Sequence, residues 1–202
     1  MSESKEKKQK LDDIESLDDT EVTGDINIRT NDGKEYKIPK KFAFISGLIK
    51  AAIEKDTETK NLDINVSDNS FKHIYQYMLH HEGIEQNTIK QPLESENLAD
   101  SCSYKWDAEF IEPIAESKTR QDIIDMMNAA NYLDIKGLLQ LSCARFACFM
   151  KNKTLAQQPR ALFKGIFTDE EINQYLKDNN MYEQEKHDDA CLRELEEAGK
   201  EE

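Results

Sequence analysis

Residues 129–139 read AANYLDIKGLL, and the chain changes character across them. On the upstream side Ile123, Ile124, Met126, Met127, Ala130 and Leu133 recur at helical spacing. On the downstream side a second helix is predicted over 135–150, with Asp134 as its N-terminal cap, because a short acceptor side chain can take up a free backbone N–H there. Eleven of the sixteen residues in 135–150 are apolar, and Lys136 and Arg145 carry its only charges. At about 100° per residue, Ile135, Leu138, Leu139, Cys143, Phe146 and Met150 form a stripe roughly 140° wide. Leu141 and Cys148 fall well off that stripe, so parts of two faces need cover. Two readings stand at this point: a central helix buried by its own domain, or one face on the domain and another on a partner.

The next segment has the opposite imbalance. From 151 to 182 apolar residues are sparse and mostly bulky: Leu162, Phe163, Ile166, Phe167, Ile172, Tyr175, Leu176, Met181 and Tyr182. Local helix signals are nevertheless good. Thr168 and Glu171 match a capping box, with Phe167 and Ile172 placed as its hydrophobic staple. Pro159 suits the first turn of a helix and obstructs later turns. A well-capped helix with few apolar positions either packs lightly or orders on a partner. Beyond Glu183 nearly every residue is charged, which predicts a solvated acidic tail over 184–202.

Working back from 129, Trp106, Phe110 and Ile111 supply apolar anchors, and 82–103 is polar and uneven, an expected exposed excursion. Phe71, Ile74, Tyr75, Met78 and Leu79 predict an amphipathic helix behind the cap-rich Ser67-Asp68-Asn69-Ser70. Leu62, Ile64 and Val66 alternate as in a strand, and Phe42, Ile45, Leu48, Ile49, Ala52 and Ile53 predict one helix over 42–54. Ile26 and Ile28, then Tyr36 and Ile38, flank Asn31-Asp32-Gly33 and predict a β-hairpin that Pro39 ends. Residues 1–24 are too polar to offset the entropy of ordering and are expected to form a disordered acidic arm. The organisation is thus arm 1–24, core 25–150, helical extension 151–183 and tail 184–202.

The 202 residues carry a net charge of −14, unevenly spread. Residues 1–24 hold four lysines against eight acids and 168–202 hold four basic residues against thirteen acids, which leaves nineteen against twenty in between. Acidic ends on a near-neutral middle would repel phosphate backbones, so nucleic acid is not an expected partner. No apolar run approaches the ~20 residues of a spanning helix, and the first residues lack a signal peptide's apolar stretch. Four cysteines without metal-ligand spacing or disulfide density suit a reducing compartment, cytoplasmic or nuclear. His80 and His81 are adjacent and point about 100° apart, which is wrong for a shared ion. No glycine-rich phosphate loop or nucleophile elbow is present, so neither catalysis nor a cofactor is expected.

Residues 25–183 resemble the Skp (S-phase kinase-associated protein) family, the adaptors of SCF ubiquitin ligases. The most specific match is AANYLDIKGLL itself. It is accompanied by Asp32-Gly33, Leu62-Asp63-Ile64, His80-His81, Trp106-Asp107, Glu109-Phe110, Lys151 to Thr154, Phe167-Thr168-Asp169-Glu170-Glu171 and Lys177-Asp178-Asn179. Elongin C shares the core but typically stops near residue 150 of this numbering, so the extension favours the Skp branch. The resemblance implies an α/β fold: a BTB/POZ-type core, a small sheet flanked by helices, followed by a two-helix C-terminal F-box-binding extension. It implies a non-catalytic adaptor whose partners are a cullin N-terminal domain and F-box proteins. The cullin-facing pair maps to Asn131 and Tyr132. The F-box-facing set maps to Leu139, Cys143, Phe146 and Met150, and then to Phe163, Phe167, Ile172, Tyr175, Met181 and Tyr182. From the residues alone Asn131 also reads as a turn residue, Tyr132 as a core ring with a surface hydroxyl, and Phe146 and Met150 as ordinary core. Where the family has Thr-Pro-Glu-Glu, this chain has Thr154-Leu155-Ala156-Gln157, its proline falls at Pro159, and Met181 replaces a tryptophan. These departures motivate an alternative: a structural or self-associating paralogue outside ligases, forming homodimers when unpartnered.

Overall fold

Ile26, Ile28 and Ile38 point to one side of the sheet and are all fully buried, so the hairpin's apolar positions form the floor of the core. The computed structural model describes residues 24–84 and 89–198. The expected acidic arm, apart from Gly24, therefore lies outside the described residues. Strand β1 (Asp25–Arg29) pairs antiparallel with β2 (Glu35–Pro39), Ile26 opposite Ile38, and parallel with β3 (Asn61–Asp63), Asn27 opposite Asn61. The order is β2-β1-β3. On the outer face Arg29 makes a two-pronged bond to Asp63 at 2.8 Å, and Asn27 donates to Asn61 at 3.0 Å. The third strand is shorter than the alternation predicts, ending at Asp63, yet Ile64 and Val66 are still buried.

The hairpin turn also starts a helix. Gly33 adopts φ 84°, which L side chains resist, and Asp32 reaches across to accept the Asp68 N–H at 2.9 Å. Asp68 opens α3 (Asp68–His81), so this carboxylate does the work that the Ser67 side chain leaves undone. The single helix predicted over 42–54 is two: α1 (Lys40–Ala43) and α2 (Gly47–Lys55). Ser46 breaks it by going extended and accepting the Ile49 N–H at 3.2 Å, the competition that short hydroxyl side chains offer a helix.

Helices α4 (Lys105–Ala115), α5 (Gln121–Tyr132) and α6 (Lys136–Cys148) pack on one another, and α5 packs against α3. Their buried faces include Ile111, Ile123, Met126, Leu138 and Leu141, each worth about 1.5–3 kcal/mol on burial. The 82–103 excursion is corrected in part: Leu98 and Ser101 are buried around a short 3-10 turn, so the segment is pinned to the core. Asp134 is not the cap of α6. It takes φ 52° just past α5, and Ile135 occupies the N-cap position without a side-chain bond. Beyond α6 lie α7 (Gln158–Leu162), α8 (Asp169–Asp178) and α9 (Tyr182–Ala198). Helix α9 corrects the solvated tail in part: the chain is helical through Ala198 and Glu185 is buried, while most of the helix's other described side chains are exposed.

Candidate functional site

Asn131 and Tyr132 close α5, and their position is fixed by a junction of helix ends. The backbone N–H groups of Gly47 and Leu48, at the start of α2, donate to the carbonyls of Asp134 and Leu133 at 3.0 and 3.3 Å. The Ser46 hydroxyl adds a bond to the Leu133 carbonyl at 2.5 Å. Free donors of one helix thus meet free acceptors of another. A Cβ at Gly47 would come within 2.1 Å of Asp134 Oδ2, so any larger residue there would have to displace the exposed Asp134 side chain. Held this way, Asn131 is exposed and Tyr132 is 42% exposed, with its hydroxyl accepting the Asn65 N–H at 3.3 Å. The Tyr132 ring is at the surface rather than in the core.

Helix α6 carries two apolar faces with different fates. Leu138, Leu141, Ser142, Arg145 and Cys148 are buried, so Leu141 and Cys148, which fall off the predicted stripe, are core along with Leu138 from the stripe itself. Of the stripe's remainder, Cys143 is exposed and Leu139, Phe146 and Met150 are half-buried, with Leu139 and Phe146 resting on the core's edge. The four fall at successive turns of one flank. Partial desolvation pushes the Cys143 thiol above its ordinary value, so it presents a neutral, small apolar contact. Arg145 fixes the helix's far end: it bonds Glu112 at 2.7 and 3.0 Å and Glu116 at 2.8 Å, and its guanidinium lies 4.3 Å from the Phe149 ring. Arg120 covers the same ring at 3.5 Å.

Past α6 the chain builds a groove. Pro159, Phe163, Phe167, Glu171, Ile172 and Tyr175 enclose about 350 Å³ between α7 and α8. Phe163 and Phe167 meet edge-on with centroids 5.4 Å apart, Ile172 is buried, and Phe167 and Tyr175 are each 48% exposed. The expected capping box is present: Glu171 N–H donates to Thr168 Oγ1 at 3.3 Å and Thr168 N–H to Glu171 Oε2 at 2.8 Å. The structure therefore gathers Phe163, Phe167, Ile172 and Tyr175, and sets Met181 and Tyr182 apart at the α8–α9 turn. There the Tyr182 ring is flanked by Lys177 at 5.1 Å and Lys186 at 4.3 Å. Sequence reasoning missed Pro159 and Glu171 as groove residues. A proline at the first turn, read only as a helix limit, was the signal for one of them.

The histidines have structural work. His80 stacks on Trp106 at 3.6 Å, and buried His81 bonds buried Asp107 at 2.8 Å. Among the described residues no three His, Cys, Asp or Glu side chains gather as for a metal ion, and no helix is long and apolar enough to cross a membrane.

A small mixed sheet packed with helices, followed by a helical extension that opens an apolar groove, defines a BTB/POZ-type α/β protein with a C-terminal helical extension. No protein-family model matches the chain. Among curated proteins, the S-phase kinase-associated protein 1 homolog of Tetrahymena thermophila is 36% identical over 144 residues, covering 69% of this chain and 82% of that protein. SKP1-like protein 13 of Arabidopsis thaliana is 30% identical over 157 residues, 76% of this chain and 94% of its own length. The E3 ubiquitin ligase complex SCF subunit sconC of Arthroderma benhamiae is 29% identical over 167 residues, 81% of this chain and 98% of its own length. The chain belongs to the S-phase kinase-associated protein 1 family.

Proposed function

We propose that this protein is a non-catalytic adaptor linking a cullin scaffold to F-box substrate receptors in an SCF-type ubiquitin ligase. The observation that carries this is the apolar groove between Phe163 and Tyr175, along which Phe167 and Tyr175 are exposed, together with the exposed or half-buried flank of α6. An amphipathic partner helix fits such a groove, its apolar side chains covering Phe167 and Tyr175. Relatives that carry the name of an SCF subunit support the same reading. The Asn131-Tyr132 corner, set on a rigid helix junction, is the cullin-facing site in this scheme. An adaptor of this kind would work in the cytoplasm or nucleus.

The test is binding of the full chain to a recombinant F-box domain and, separately, to a cullin N-terminal domain, with amide exchange followed over 135–182. Binding to both, with new protection over 158–178 from the F-box domain alone, is the expected result. Binding to neither by a folded chain would end the adaptor reading. Sedimentation of the unpartnered chain would then show whether the exposed groove serves self-association instead.

A further inference from the structure

Arg160 stands where the three C-terminal helices meet. It belongs to α7, one step around the helix from Pro159 and three residues before Phe163, which both line the groove. Its guanidinium donates to Asn173 Oδ1 of α8 at 2.6 Å and lies 3.7 Å from Asp169 of the same helix. The same group grips Glu185 of α9 with two prongs, one to Oε1 and one to Oε2 at 2.9 Å. Glu185 is only 3% exposed, and a buried carboxylate needs a fixed cationic partner. Two further bonds tie α9 to the segment before α7: Thr154 Oγ1 to Asp188 Oδ2 at 2.6 Å and Gln157 Nε2 to Asp189 Oδ1 at 2.9 Å.

We propose that Arg160 is the positioning residue of the groove, and that Glu185 in the C-terminal helix locks it in place. The inference rests on the adaptor reading for the identity of the partner. Neither residue lines the groove. The groove's two walls are α7, through Pro159 and Phe163, and α8, through Ile172 and Tyr175, and Arg160 bonds across them from behind. Few apolar contacts fix the angle between a five-residue helix and its neighbour, so a planar, forked donor held at both ends sets it. Lysine's compact ammonium lacks the planar fork that meets both oxygens of Glu185 side by side while reaching Asn173, so it holds the junction less firmly. The acidic C-terminal helix is therefore a strut that keeps the groove at its working width, not a solubilising tail.

Full-length Arg160→Met, Arg160→Lys and Glu185→Gln variants test this against a labelled recombinant F-box domain and a cullin N-terminal domain. Arg160→Met should weaken F-box binding by about tenfold or more, with Arg160→Lys and Glu185→Gln between it and wild type, while cullin affinity stays within about twofold. Amide protection over 158–178 should fall in the same order. F-box affinity and protection both unchanged in Arg160→Met and Glu185→Gln would overturn the proposal. If Arg160→Met also loses cullin binding, and so misfolds, Glu185→Gln decides alone. If the wild-type chain does not bind the F-box domain, the adaptor reading fails, and the exchange comparison still decides whether Arg160 positions the two helices.

Discussion

Tyr36 couples the hairpin to α3: its hydroxyl donates to Asp68 Oδ1 at 2.6 Å and its ring packs against Phe71 and Tyr75. Burial first, and then the hydrogen bond to Asp68, push its phenol from 10.0 up to about 12. A folded-state value above the unfolded one means that the neutral phenol is the stabilising form. That stability is whole below about pH 10 and is lost as pH rises towards about 12. An alkaline titration of phenolate absorbance should therefore contain a late-ionising component that Tyr36→Phe removes. An unchanged late part of the curve in Tyr36→Phe would contradict the packing. Gly165 makes a second single-residue test. It sits at φ 73° in the turn between Phe163 and Phe167, and an added Cβ would lie 2.5 Å from the Lys118 carbonyl oxygen and 2.9 Å from Thr119 Cα. Gly165→Ala should cost about 1–3 kcal/mol in a denaturant melt, since both backbone strain and a backbone clash oppose it.

At the scale of elements, α6 shows what a sequence can and cannot disclose. Its apolar excess was visible in 135–150, and so was the chance that it served two surfaces. Which face was which was not: the stripe held Leu138, which is core, beside Cys143, which is exposed, and left out Leu141 and Cys148, both buried. Periodicity reports how many faces are apolar, whereas the assignment of faces depends on where α4 and α5 lie. The two faces should separate by experiment. Leu141→Ala should cost about 2–5 kcal/mol of stability in urea, as a cavity in a closed core does. Phe146→Ala, from a half-buried ring, should cost less stability but weaken F-box binding about tenfold, near 1.4 kcal/mol. Equal stability losses with no change in binding would return Phe146 to the core. The capping box of α8 was readable because Thr168 and Glu171 satisfy each other within one turn. The α9 contacts were not, because Arg160 and Glu185 are 25 residues apart and a charged run looks solvated until its partner is in view.

Across the whole molecule, the hydrophobic core runs from Ile26 to Phe149, and the extension adds only half-buried Ala161 and Leu162 to it. Ile172 and Leu176 are buried outside that core. The Asn131-Tyr132 corner, proposed to face the cullin, thus belongs to one packed body and the groove to a lighter layer laid against it, so on the adaptor reading the two partners should bind as nearly independent ligands. A ligand that binds only the folded chain adds about 2.7 kcal/mol of stability at a hundred times its dissociation constant. Each partner alone should raise the melting temperature, and the two increments should add within about 0.5 kcal/mol, as for distant sites without shared contacts. Tyr132→Lys should abolish the cullin increment and spare the other, because it places a charge where an exposed ring stood and leaves the groove untouched. Tyr175→Asp should do the reverse, since Tyr175 lines the groove and is itself exposed, so the free chain loses little. Loss of both increments in either single variant would mean that core and extension fold and bind as one cooperative unit. The layered division drawn from the buried residues would then be wrong.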